Sequence, residues 1–316
     1  MMIEITRPGK YSLMIENPVM IASGMMGFDP MVYRSLLKIE KLGAIVTSAV
    51  SLRPRGSARG PRLVNYRGGF LLHTGLPNAG VKRVIKKYSP IWVDSPVPIL
   101  VHLIASDTND VMYSAEALEG AAGVAGIELG LHDEATPAQV GQLIEAARKR
   151  CQLPLLVKLP LYHARYLAQA AEDAGADALV VASPPRGTER DAQSGRLVGG
   201  RVYGPWLKAQ VLRAVGQLVP HAAIPVIACG GIHSADDARD YVDAGATAVQ
   251  IDTLTWTHPS QVEIIARNLG GLELTRRMGA LADEWEPGIG KTRLMSSYPP
   301  NLPEFPFGDD DTSTDP

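Results

Sequence analysis

Eight short apolar runs recur along the chain: residues 19–22 (VMIA), 44–50 (AIVTSAV), 98–103 (PILVHL), 124–129 (VAGIEL), 154–159 (PLLVKL), 177–182 (DALVVA), 224–229 (IPVIAC) and 246–251 (ATAVQI). They are apolar throughout rather than alternating, the pattern of parallel strands covered on both faces. The stretches between them predict helices over about 29–40, 77–88, 107–121, 136–150, 162–174, 204–219, 234–243 and 260–269. Thr136-Pro137 reads as an N-cap followed by proline in the first turn. Ser234, followed by Asp236 and Asp237, marks another helix start. Gly175 and Gly245 stand where a helix ends and the next strand begins within a few residues.

Strict alternation of eight strand–helix pairs, joined by right-handed crossovers, predicts an α/β fold, a (β/α)8 TIM barrel. An open doubly wound sheet is the alternative; it calls for a GxGxxG turn after the first strand, and SGMMG at 23–27 is a poor match. Residues 1–18 are expected to form a short hairpin under the barrel floor, within a single barrel domain spanning 1–298. Residues 299–316, which end in DDDTSTDP, are expected to be a disordered acidic tail. Two long connections, 51–76 and 183–203, follow strands 2 and 6 and read as lids or binding loops over the barrel mouth.

A length of 316 residues suits one such barrel, and a hydrophobic share of 46% is ample for its core. The net charge of -2 favours neither nucleic acid nor an anionic membrane surface, which leaves a small molecule as the expected partner. Two cysteines, Cys151 and Cys229, make neither a disulfide framework nor a metal cluster, and no metal is expected. With no signal-peptide pattern and no long apolar span, a cytoplasmic protein is expected, with a homodimer as its assembly.

Several polar residues stand out at strand ends. Gly230 and Gly231, in CGGIHS after strand 7, let backbone N–H groups approach an anion, with Thr253 after strand 8 close by. A tight turn that merely needs glycine is the plain alternative. Lys158, set among Leu155, Leu156, Val157 and Leu159, is placed to point into the barrel mouth and hold an anionic ring or phosphate. Glu128 in GIELG is its candidate partner, either functional or as a structural ion pair. His132 and Asp133, just beyond strand 4, are candidate proton-transfer groups, against a reading in which the acidic residues cap the next helix. His73, His102, His163 and His258 show no metal-ligand spacing.

These segments together resemble the dihydroorotate dehydrogenases, in particular their cytosolic class. NPVMIASG at 17–24, KLGAIVT at 41–47, GLPNAG at 75–80, LVKLPLY at 156–162 and IPVIACGGIHSADDARDYVDAGATAVQID at 224–252 carry the likeness, which runs over about residues 15–268. The resemblance implies a flavin mononucleotide (FMN)-dependent barrel whose cofactor contacts are Ala22, Ser23, Gly24, Lys158, Gly204, Gly230, Gly231 and Thr253.

The departures are equally specific. The family's lysine after strand 2 is Ser48, and the asparagine before its GLPN-like segment is Leu72. After strand 4 the family asparagine is Gly130, and the Cys or Ser base three residues on is Asp133. After strand 6 its substrate asparagine is Ser183 or Pro184, and the glycine before Thr253 is Asp252. Each lost amide partner of a dihydropyrimidine carboxylate costs about 1–3 kcal/mol. The sequence therefore implies an FMN-binding oxidoreductase acting on CH–CH donors other than dihydroorotate. FMN binding is weakened or lost unless Asp252 pairs with an arginine such as Arg201 or turns into the barrel wall. The alternatives are a non-catalytic scaffold or subunit, and a barrel for another phosphorylated metabolite.

Overall fold

The computed structural model describes residues 2–9, 12–105 and 107–270. Eight parallel strands close into a barrel: β1 Val19–Ile21, β2 Ala44–Val46, β3 Ile99–Ile104, β4 Val124–Gly130, β5 Leu155–Pro160, β6 Ala178–Ser183, β7 Val226–Cys229 and β8 Ala248–Ile251. Each strand pairs with the next in sequence, and β8 closes on β1. Every predicted strand is present, and the fold is the (β/α)8 TIM barrel. The uniform apolarity of the runs has its cause here. Met20, Ile45, Leu100, Leu156, Val180, Ile227 and Val249 are all buried, because barrel packing lies on one face and a helix on the other.

Seven of the eight expected helices form, with ends shifted by a few residues. The cap at Thr136 closes a full capping box with Gln139, and Ser234 accepts the Asp237 N–H. Gly175 and Gly245 take left-handed φ values of 102° and 99° straight after their helices, as a C′ glycine should. The helix expected at 29–40 does not form; short 3-10 turns at Pro30–Tyr33 and Ile39–Lys41 replace it. A tertiary bond competes with the helical ladder there, since the Lys38 N–H donates to the Glu263 carboxylate at 2.8 Å. The helix expected from 77 begins only at Val81, because Asn78 Oδ1 accepts the Gly80 N–H at 2.9 Å and holds a turn before it.

At the floor, Ile3–Glu4 pairs antiparallel with Met14–Ile15, so the N-terminal hairpin is present, and it seats Ile5, Leu13 and Ile15 in the core. At the opposite end the two long connections are more ordered than loops. Leu63–Tyr66, Gly69–Leu72, Arg186–Arg190 and Leu197–Tyr203 form one four-stranded antiparallel sheet, with Val64, Leu71 and Val198 as its own small core. The acidic tail at 299–316 and the domain end at 298 lie outside the described residues.

The capping box makes a direct prediction for the fold. Thr136→Ala should cost about 1 kcal/mol. It should lower the urea midpoint without changing the slope of the transition, and an unchanged midpoint would show that the box contributes nothing.

Candidate functional site

The mouth of the barrel is built from polar residues that each interrupt an otherwise apolar strand. His102 on β3, Glu128 on β4, Lys158 on β5 and Gln250 on β8 meet inside it, all buried. Lys158 Nζ donates to Gln250 Oε1 at 2.9 Å and lies 3.4 Å from Glu128 Oε1. Gln250 Nε2 donates to Glu128 Oε2 at 2.6 Å, and His102 Nδ1 lies 2.8 Å from Glu128 Oε1. Strand register sets up the arrangement, for His102 sits beside Glu128 on neighbouring strands and Gly130 beside Lys158. Gly130 also leaves room for the imidazole, since a Cβ there would meet His102 Nε2 at 2.8 Å.

The electrostatics of this cluster close on themselves. Burial works to raise the Glu128 carboxyl, but Lys158 and His102 outweigh it and hold the group at about 2. Burial works against the Lys158 ammonium, and the Cys229 sulfur and Glu128 carboxylate reverse that and raise it. Burial pushes the Cys229 thiol up to about 12, so it is neutral at ordinary pH and Glu128 is the counter-charge of Lys158. The pairing of Glu128 with Lys158 thus has the geometry the sequence suggested, with His102 and Gln250 as members that sequence reasoning passed over.

Above this cluster lies a chamber of about 310 Å³, walled by Gly24, His102, His132, Lys158, Arg201 and Tyr203 among others. That is the lower end of the size of ligand pockets, about 300–1,000 Å³. A second, deeper cavity of about 20 Å³ lies against Ala22, Lys158, Tyr203, Cys229, Gly230 and Asp252. It has room for little more than one water. Ser23 and Tyr203 line both spaces, and the Tyr203 ring stacks on Phe70 of the lid sheet with centroids 5.8 Å apart.

The residues singled out beforehand divide into groups. Ala22, Ser23, Lys158 and Gly230 border the inner cavity, and Ser23, Gly24, His132 and Lys158 border the chamber. Gly204 is taken up by packing, because a Cβ there would meet the Gly68 carbonyl oxygen at 2.4 Å. Gly231 is likewise needed for packing, with a Cβ falling 2.2 Å from the Lys208 nitrogen. Thr253 is buried and donates both its N–H (2.6 Å) and its hydroxyl (3.2 Å) to Asp252 Oδ1.

The loop after β4 holds two very different groups. His132 is exposed at the chamber rim. Asp133 accepts from Arg201 Nη1 at 2.5 Å and Arg186 Nε at 2.9 Å, both from the lid sheet. Burial works to raise its carboxyl, but the two guanidinium groups outweigh this and lower it. Arg201, one of the two ways considered for neutralising Asp252, is therefore committed to Asp133. Asp252 accepts instead from its neighbour Thr253 and still borders the inner cavity, so it neither pairs with an arginine nor turns away into the barrel wall. Among the described residues no cluster of His, Cys, Asp or Glu is arranged for a metal, and no helix is long and apolar enough to cross a membrane.

A closed parallel barrel, with charged residues at the C-terminal strand ends under a lid, defines a TIM-barrel protein of the kind that binds or transforms a ligand at its mouth. Comparison with known proteins makes the class specific. The sequence profile of the dihydroorotate dehydrogenase family matches residues 10–272, and the chain belongs to that family. The catalytic subunit of dihydroorotate dehydrogenase B (NAD(+)) from Pelobacter propionicus is 34% identical over 273 residues, covering 81% of this chain and 90% of the relative. The protein of the same name from Geotalea uraniireducens is 33% identical over 285 residues, covering 85% and 92%. That from Geobacter sp. strain M21 is 32% identical over 271 residues, covering 81% and 88%.

The buried cluster predicts a pH signature. Glu128 falls from an ordinary 4.5 to about 2 on folding, so its contribution is complete above about 4.5 and is lost as pH falls through about 2. Glu128→Gln, which strands Lys158 without its counter-charge, should cost about 3–5 kcal/mol near neutrality. The gap between wild type and variant should then narrow from pH 5 to pH 2 in urea titrations. A gap that stays constant over that range would remove Glu128 from the electrostatic account.

Proposed function

We propose that this family member is an oxidoreductase-type barrel whose substrate is not dihydroorotate. The observation that carries the reading is the state of Asp133. It occupies the position of the family's proton-abstracting Cys or Ser, and it is held by two lid arginines and lowered, so it is a poor base. The side chains around the chamber support the same conclusion, because Leu72, Gly130 and either Ser183 or Pro184 stand where the family resemblance implies amides, and all four line it. A ring that needs several amide donors and acceptors finds few of them there.

FMN is the cofactor that family resemblance brings to this chain, and its two ends meet different surroundings. At the ring end the residues fit. Gly24 has φ +86° with open space where a Cβ would stand, and Lys158 is a buried cation at the chamber wall. A flavin ring bound there would supply hydride acceptance, and Lys158 would supply positive charge to the reduced ring. At the phosphate end the residues do not fit, because the Asp252 carboxylate lies against a cavity of about 20 Å³. The same misfit removes support from a barrel for another phosphorylated metabolite.

His132 is the proposed proton-transfer group, since it borders the chamber and Asp133 is tied up. The relatives are named catalytic subunits, and on that likeness the chain works with a second subunit. A non-catalytic subunit is the second reading, favoured by the saturation of Lys158 by Glu128 and Gln250. A purified protein that is colourless and takes up no added flavin supports that second reading.

Two outcomes follow for activity. Supplied with added flavin, dihydroorotate and fumarate, NAD or a quinone, the protein should show no turnover approaching about 1 s⁻¹, the low end of ordinary enzyme rates. Turnover at or above that rate would overturn the substrate reading. On a substrate that is turned over, His132→Ala should lower the rate by about a hundredfold or more. An unchanged rate would take His132 out of the mechanism.

A further inference from the structure

The ends of β7 and β8 are where barrels of this class commonly hold a phosphate, using backbone N–H groups and a helix N-terminus. In this chain three of the backbone donors there are engaged by its own side chains. The Thr253 N–H donates to Asp252 Oδ1 at 2.6 Å, and the Thr253 hydroxyl donates to the same oxygen at 3.2 Å. The His233 N–H donates to Asp237 Oδ2 at 3.0 Å, and the Asp237 N–H donates to Ser234 Oγ at 3.1 Å. Lys208, the cation beside this helix start, is paired with Asp237 at 2.7 Å and Asp240 at 2.6 Å. Gly231 has a packing reason of its own, since it lies against the Lys208 backbone. What remains is a cavity of about 20 Å³ that Asp252 itself borders, too small for a phosphate group.

We infer that Asp252 is a built-in replacement for a ligand phosphate, so that the barrel selects a ring ligand whose far end is unphosphorylated, riboflavin in preference to FMN. The physical basis is double. The carboxylate occupies the amide that a phosphate would use, and any charge it carries repels a dianion placed beside it. Burial raises the Asp252 carboxyl, with His233, the Thr253 hydrogen bonds and Lys158 working the other way, and no lid arginine answers it because Arg201 is bound to Asp133. The preference between two flavins rests on the flavin reading given above, whereas the exclusion of phosphate does not.

The test uses the full chain, wild type and Asp252→Gly, titrated separately with riboflavin and FMN and followed by flavin fluorescence. Wild type should bind riboflavin at least tenfold more tightly than FMN. Asp252→Gly should shift that ratio towards FMN by tenfold or more, leaving riboflavin affinity nearly unchanged. Should the glycine variant fail to fold, Asp252→Asn, which keeps the volume and removes the charge, should shift the ratio in the same direction. Wild type that binds FMN as tightly as riboflavin, or a ratio that the substitutions leave unmoved, would overturn the inference. If no protein binds either flavin, the flavin reading fails and thermal denaturation with inorganic phosphate decides the role of Asp252. Stabilisation of the variant but not of wild type upholds it; an equal response, or none in both, overturns it.

Discussion

Lys158 can sit buried in the throat of an apolar barrel because Glu128 answers its charge from the neighbouring strand. An unpaired ammonium in that place would be penalised by desolvation and would lose its proton. Glu128 in turn is satisfied by His102 and Gln250, so the carboxylate meets partners from three other strands. The cluster therefore ties β3, β4, β5 and β8 together at their C-terminal ends. It fixes the floor of the chamber on rigid elements, where a binding site gains most from preorganisation.

The site differs in character from place to place. At the centre, Lys158 is supported by Glu128 and Gln250, and the chamber lies above them. At the ends of β7 and β8, the Asp252 and Asp237 carboxylates accept from the Thr253 and His233 N–H groups. At the rim, Asp133 is spent on holding the lid, through Arg186 and Arg201. That bridge gives the carboxylate a clear role. A carboxylate placed near two arginines of the lid sheet gains far more from ionising than a thiol or hydroxyl would, and it anchors the sheet over the mouth. Membership of the dihydroorotate dehydrogenase family describes the frame, and the chemistry has to be argued from the site itself.

Much of the frame was legible from residue pattern. Eight buried strands left eight apolar runs, and Gly175, Gly245, Thr136 and Ser234 marked helix ends through backbone geometry that few other residues satisfy. The stretch at 29–40 misled because its helical spacing is overridden by a distant side chain, Glu263, that no local reading contains. The lid sheet was missed for a similar reason. Its strands pair segments more than a hundred residues apart, Tyr203 with Phe70 for instance, and they are rich in glycine and arginine. Lys158 and Glu128 were found because charges interrupt apolar strands. His102 in ILVHLI and Gln250 in AVQI carry the same signal in a milder form, and reading every polar interruption alike would have found all four. The state of Asp133 was beyond sequence, because its partners come from the far side of the lid.

The central claim is that Lys158, supported by Glu128 and Gln250, is the anchor of a ring ligand in this barrel. A crystal structure of the full chain with riboflavin tests it most directly. The account predicts the ring in the chamber with its polar edge within hydrogen-bonding distance of Lys158 Nζ, and Asp252 still bound to Thr253. A ligand seated away from Lys158, or a chamber that stays empty at saturating riboflavin, would contradict it.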